Sequence, residues 1–269
     1  MMRAIAVARN LRRPLARMLS ASSEGKYRTI QLDAGPMNVL TPEVLQSLID
    51  AAKEANDENE TGVVLRGSDK IFSAGLDLNR LYQPDKVELA EYWRLIQDFF
   101  FTFYGSSVPI VSAIEGHAPA GGCFISLCTS YRVMANDEKL KIGLNESQLG
   151  LAPPWWFNEL LSKYTGPHAS ERLISHGTLL SPSQALDVGM VDEIVDKKDV
   201  YSRACAELDK HAKVPFRARG TTSQFARREL LEKLLRVRDD DIDYFVENVA
   251  SDSMQKSLDA YMASLGSKK

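Results

Sequence analysis

Glu146 is the one residue of its neighbourhood able to take up and return a proton. It stands in Ile142-Gly143-Leu144-Asn145-Glu146-Ser147-Gln148-Leu149-Gly150-Leu151, an otherwise uncharged and mostly apolar window. Burial disfavours the charged form of a carboxyl and raises its pKa, which makes an acid–base group that works near neutral pH. A lone glutamate in such a window also fits an exposed loop acid, so its use depends on what stands beside it.

Two segments of small residues are candidates for that role. Phe72-Ser73-Ala74-Gly75-Leu76-Asp77 is a turn just beyond a buried strand, and Pro119-Ala120-Gly121-Gly122-Cys123 lies between a strand and a helix. Without bulky side chains, backbone N–H groups can approach a ligand closely, and a helix start adds its positive dipole. Two such turns at the ends of neighbouring strands can aim two N–H groups at one oxygen, which is an oxyanion hole. Taken singly, each turn also fits an ordinary glycine-rich connection.

Other polar candidates carry less. His117 lies beside the second turn, whereas His168, His176 and His211 are scattered without a nucleophile or metal-ligand spacing. No GxSxG, phosphate-binding loop or dinucleotide fingerprint occurs. Cys123, Cys128 and Cys205 are too few and too irregular for a disulfide framework or a zinc site, and read as small buried hydrophobes in a reducing compartment.

The elements that must position these residues follow from periodicity. Tyr27 to Asp33 alternates as a half-exposed strand. Thr41-Pro42-Glu43 supplies three helix-start signals ahead of Val44, Leu45, Leu48, Ile49 and Ala52 at helical spacing. Val63-Val64-Leu65 is a buried strand, 86–104 an aromatic-rich helix, Pro109 to Ile114 a second buried strand, Gly121 to Cys128 a helix and Tyr131 to Ala135 a strand. This alternation predicts an α/β fold on a mostly parallel sheet. After about residue 153 helices dominate. Pro153-Pro154 opens one, Ser181-Pro182-Ser183-Gln184 is a capping box for another, Met190 to Val195 is a single short strand, and everything from Tyr201 onward is helical. No internal repeat stands out.

The 269 residues are 44% hydrophobic and 26% charged, enough for a large core and against a disordered chain. Thirty-three basic and 36 acidic residues give a net charge of −3, a balance that does not suggest the clustered positive charge of a nucleic-acid footprint. No apolar run is long enough to span a membrane. Residues 1–23 differ: Arg3, Arg9, Arg12, Arg13 and Arg17, several serines and no acid before Glu24 fit a mitochondrial transit peptide. The final Gly266-Ser267-Lys268-Lys269 lacks the Ser-Lys-Leu peroxisomal address, which tilts the expected compartment to mitochondria.

Ser73-Ala74-Gly75-Leu76-Asp77-Leu78, Pro119-Ala120-Gly121-Gly122-Cys123 and Ile142 to Gly150, in this order and at these separations, resemble the crotonase (enoyl-CoA hydratase/isomerase) superfamily. The likeness is greatest to its branch of mitochondrial delta-3,delta-2-enoyl-CoA isomerases. It runs from about residue 27 to about 263 and includes Asp252-Ser253-Met254-Gln255-Lys256-Ser257-Leu258. The resemblance implies a ββα-repeat spiral core over 24–200, a helical trimerisation region over 201–269, a homotrimer and a place in the mitochondrial matrix. The substrate would be an acyl-CoA thioester, with no metal and no cofactor beyond the coenzyme A that the substrate itself carries.

Residue by residue, the resemblance puts the oxyanion donors at the backbone N–H groups of Leu76 and Gly121. Ser73, Ala74, Gly75, Leu76 and Asp77 would contact the coenzyme through main-chain groups, Ala120 and Asn145 would border the substrate, and Glu146 would be the base. Hydratases of this superfamily have a second glutamate directly after the Gly-Gly-Cys turn; this sequence has Phe124 there, which favours isomerisation by one base. Dienoyl-CoA isomerisation, hydration, or acyl-CoA binding without catalysis remain the competing readings. Ser130 stands where relatives often carry an acid, which puts a local ion pair in doubt. Trp155 and Trp156 fit either an acyl tunnel or the core.

Overall fold

The computed structural model describes residues 19–22 and 26–266. The chain runs through β1 (Leu19–Ser22), β2 (Arg28–Leu32), β3 (Val39–Leu40), α1 (Pro42–Asp57), β4 (Val63–Arg66), β5 (Gly75–Leu76), α2 (Leu78–Leu81) and α3 (Lys86–Tyr104). It continues with β6 (Ile110–Ile114), β7 (Ala118–Pro119), α4 (Gly121–Leu127), β8 (Tyr131–Ala135), β9 (Ile142–Gly143) and a 3-10 turn at Glu146–Leu149. The remainder is α5 (Trp155–Thr165), α6 (Pro167–His176), α7 (Pro182–Asp187), β10 (Glu193–Val195), α8 (Val200–Ala212), α9 (Phe216–Arg236), α10 (Arg238–Val249) and α11 (Asp252–Gly266).

The main sheet has the order β1-β2-β4-β6-β8-β10, parallel except for β1 against β2. Each inner strand is followed by a two-residue strand that leaves the sheet, and these pair among themselves, β3 with β5 and β7 with β9. Strand, short strand, helix therefore recurs as β2-β3-α1, β4-β5-α3 and β6-β7-α4. That is the ββα spiral expected above. The repeat is one of backbone path, and the side chains filling it differ each time, which is why no sequence period shows it.

Local signals place the helices. The Thr41 hydroxyl accepts from Val44 N and Pro42 starts the first turn, while Val44, Leu45, Leu48, Ile49, Ala52 and Ala55 turn one face inward. Asp85 caps α3 through Val87 N and Glu88 N at 2.9 and 3.0 Å. Every residue of β6 is buried, as a central parallel strand covered on both faces requires. The capping box at Ser181 and Gln184 is formed.

Three expectations change. Leu19–Ser22 pairs with Leu32–Thr29 as the sheet edge, inside the span 1–23 assigned to a leader; residues 1–18 and 23 lie outside the described residues. Leu-Ser-Ala-Ser has little side-chain pattern, and an edge strand is held mainly by backbone bonds. The strand expected over Met190 to Val195 is only Glu193–Val195, because the N–H groups of Met190 and Val191 both turn back to the Ala185 carbonyl. The helical region does not begin apart from the core: α8 packs on β4, β6 and β8 as one layer of the α/β unit. Among the described residues no helix is long and apolar enough to cross a membrane.

Candidate active site

The first and second turns meet backbone to backbone. A methyl group on Gly75, where φ is +93°, would stand 2.6 Å from Gly121 N, and one on Gly121 would stand 3.2 Å from Leu76 N. One on Gly122 would lie 2.1 Å from the Ser73 carbonyl oxygen. Three glycines are thus required by close approach, and the contact brings the Leu76 and Gly121 amides to one place.

The neighbouring N–H groups are engaged within the protein. Ala74 N donates to Met37 O at 2.9 Å, Ala120 N to Gly143 O at 2.8 Å, Gly75 N to Ser73 Oγ at 3.1 Å and Asp77 N to the Tyr92 hydroxyl at 3.0 Å. Gly121 is the first residue of α4, so its own N–H has no acceptor within that helix. Ser73 is fully buried and its hydroxyl donates to Asn38 O, so the side chain locks the turn and faces no solvent. The Asp77 carboxylate caps α2 at Asn79 N. Ala120 holds φ +48°, ψ −123°, a strained setting for a residue with a side chain, at the point where the chain must swing into α4.

The third segment joins the second through β9. Ala118 pairs with Ile142 and Pro119 with Gly143, which sets Glu146 beside α4. The turn is clamped by α6 and α11: Ser147 Oγ donates to Ile174 O at 2.7 Å, Gln148 Nε2 to His176 O at 3.2 Å, and Gly150 lies against Ser257 of α11. Glu146 is 5% exposed. Burial pushes its carboxyl up to about 7, opposed only by a backbone hydrogen bond. Glu146 Oε2 and Asn145 Oδ1 are both buried without a hydrogen-bond partner, acceptors that a substrate has reason to meet. The same carboxylate adds to the burial that keeps the Cys123 thiol protonated.

All the residues singled out in the three segments are therefore gathered at the carboxyl ends of β4, β6 and β8. Tyr92 was not among them. Its buried hydroxyl donates to Leu40 O at 2.6 Å and accepts from Asp77 N, tying the first turn to β3. In the sequence it is one aromatic among many in α3 and carries no distinguishing signal. The contribution of α11 was likewise unread: Gln255 donates to Leu81 O and Tyr82 to Asp259, so the last helix lies over its own chain's site. His117 Nδ1 accepts from Lys141 N and is a structural contact.

Phe124 lies in a packed aromatic cluster. Its ring stacks on Phe157 at 4.1 Å and meets Trp156 edge-on at 5.4 Å, with Phe99 and Phe100 behind. Trp156 belongs to this core, while Trp155 is partly exposed beneath Lys233.

Comparison with known proteins gives concordant matches. The family model described as enoyl-CoA hydratase/isomerase matches residues 25–266. Enoyl-CoA delta isomerase 1, mitochondrial, of Mus musculus is 41% identical over 236 residues, 87% of this chain and 82% of that protein. The Homo sapiens protein of the same name is 38% identical over 237 residues, 87% and 78% of the two chains. The crystal structure of human mitochondrial delta3-delta2-enoyl-CoA isomerase superposes with a TM-score of 0.91 at 34% identity, covering 94% of this chain and 99% of that one.

Proposed function

The chain belongs to the enoyl-CoA hydratase/isomerase family, and on that premise we propose that it converts 3-enoyl-CoA, cis or trans, to trans-2-enoyl-CoA in the oxidation of unsaturated fatty acids. The observation that carries this reading is Glu146: one buried carboxyl, poised at about 7, beside two touching backbone turns. The relatives named enoyl-CoA delta isomerase, more than a third identical over most of the chain, support the same assignment.

The chemistry needs few parts. Glu146 takes a proton from carbon 2, and the electron pair moves through the thioester to its oxygen as a dienolate. The N–H groups of Leu76 and Gly121 stabilise that oxygen, an effect of about 10²–10³ in rate for a single donor. The carboxylic acid then returns the proton at carbon 4, which leaves the double bond between carbons 2 and 3. Asn145 borders the acyl group, and main-chain atoms of Ser73 to Asp77 and Ala120 contact the thioester arm. Hydration would need a second acid, and Phe124 occupies the position after Gly-Gly-Cys. Turnover of cis-3-hexenoyl-CoA alongside hydration of crotonyl-CoA tests this: isomerisation without appreciable hydration supports it, and the reverse overturns it.

The relatives are mitochondrial proteins by name, and the arginine-rich start of this chain fits the same compartment. We assign the enzyme to the matrix, where import with loss of the leader is the test. A homotrimer accords with the mostly exposed α9, whose 21 residues include only Gly220, Leu230 and Leu234 as buried positions. Light scattering would then give about three times the 30.0 kDa chain mass; a monomer mass overturns the trimer.

A further inference from the structure

The opposite end of the main sheet holds a polar cavity. Its volume is about 130 Å³, roughly four waters at about 30 Å³ each. Val108 and Pro109, which lead into β6, and Ser130, which leads into β8, form its floor. It therefore sits at the amino ends of the strands whose carboxyl ends carry the Gly121 turn and Glu146. Arg219, Ser223 and Arg227 of α9 and His211 of α8 close it, and no carboxylate lines it.

The two arginines are not equivalent. Arg227 is anchored, with Nη1 donating to Tyr104 O at 3.0 Å and Nη2 to Ser130 Oγ at 3.2 Å. Arg219 has one acceptor, His211 O at 2.9 Å from Nη1, while its Nε and Nη2 are buried without a partner. Those two nitrogens form the side of the guanidinium whose hydrogens point in parallel, the edge that grips two oxygens of one anion. Burial holds Arg219 below the usual guanidinium range, and no acid opposes it. His211 is held low by burial first, with Arg219, Arg227 and Lys210 adding to it and Glu207 opposing. The hydroxyls of Ser106 and Ser107 already donate within the protein, to Val108 O and Asn56 Oδ1. Ser130, which accepts from Arg227, keeps its proton to give.

We propose that this cavity is a binding site for a phosphate-sized oxyanion, held on the Nε–Nη2 edge of Arg219 and by the hydroxyls of Ser130 and Ser223. The physical reason is uncompensated charge. Arg219 as a whole is half-buried, but two guanidinium donors shielded from solvent and left idle are costly, and a bound anion supplies both the hydrogen-bond acceptors and the counter-charge. The cavity's size favours the free ion over a phosphate carried on a larger molecule.

Calorimetric titration of the full-length protein with inorganic phosphate, at ionic strength held constant with sodium chloride, tests the site. One phosphate should bind per chain. Arg219→Gln removes the fork, and Ser130→Asp supplies an internal carboxylate; each should weaken binding at least about tenfold. Isomerase activity should be unchanged in both variants. Adenosine 3',5'-bisphosphate serves as a second titrant, and its failure to compete identifies the free ion as the ligand. Absence of saturable binding to the wild type, or equal affinity in both variants, overturns the proposal. So does a wild type that binds none and loses its assembly on Arg219→Gln, which would give the fork to a carboxylate of a second copy.

Discussion

Gly75 and Gly121 touch: a Cβ on Gly75 would lie 2.6 Å from the Gly121 nitrogen. Two turns 46 positions apart in the chain thus set each other's backbone, and neither can accept a side chain there. Gly75→Ala should push the turns apart and displace the Leu76 and Gly121 amides from a shared oxygen. We expect kcat to fall by at least ~10²-fold, the lower range for loss of one oxyanion donor. Wild-type turnover of 3-hexenoyl-CoA by this variant would sink the oxyanion assignment.

Glu146→Gln preserves size but removes the base, so kcat should drop by at least ~10²-fold. In the wild type, kcat/KM should rise with pH and level off above about 7, because only the carboxylate form accepts the proton. A flat profile between pH 5 and 8 would move the base elsewhere.

The same residue should weaken the fold. Its carboxyl is raised from 4.5 to about 7 in the folded protein, so between those values the native state holds a proton that the unfolded chain has released. Stability contributed by this group is therefore present below pH 4.5 and lost as pH rises through 7. Glu146→Gln escapes that loss and should be more stable above pH 7, by on the order of 3 kcal/mol. Below pH 4.5 the two proteins should converge. Melting curves that stay parallel across this range would contradict the burial argument.

Phe124→Glu should not create a hydratase. The position lies among Phe157, Trp156, Phe99 and Phe100, where an unpaired carboxylate has no partner and no water. We expect loss of soluble, folded protein. Phe124→Ala, which only leaves a cavity, should cost about 3–5 kcal/mol by chemical denaturation. A well-folded Phe124→Glu variant that hydrates crotonyl-CoA would show that the ring lines the reaction chamber.

Two amino-terminal truncations should behave differently. Removing residues 1–18 keeps the Leu19–Ser22 strand on the sheet edge, and the melting temperature should match that of the full chain. Removing residues 1–23 deletes the strand, and each kcal/mol lost lowers the midpoint by about 2–4 °C in a chain of this size. Equal midpoints would mean that β1 adds nothing to the fold.

Local chemistry was legible in the sequence wherever one segment contains its own cause. Thr41-Pro42-Glu43 starts α1, Ser181 and Gln184 cap α7, and the aromatic run 86–104 is α3 from end to end. The three site segments could be picked out because small residues and a lone acid in an apolar window permit that chemistry, although each alone also fits an ordinary connection. Their meaning together came from a resemblance, since chain order says nothing about distance.

What only the tertiary structure decided is where chain segments far apart in sequence come to rest against one another. Nothing in Gly75 or Gly121 announces the other, because their contact follows from the packing of α4 against β5 and the bridge of Ile71 to His117, which leave no periodic signal. The Glu146 carboxyl is raised because α4, α6 and α11 enclose its turn, and desolvation is a property of all the atoms around a carboxyl. Tyr92 and Phe124 were assigned by the same test. One aromatic holds the Ser73–Asp77 turn and the other fills the core, a division that side-chain type cannot express and packing does.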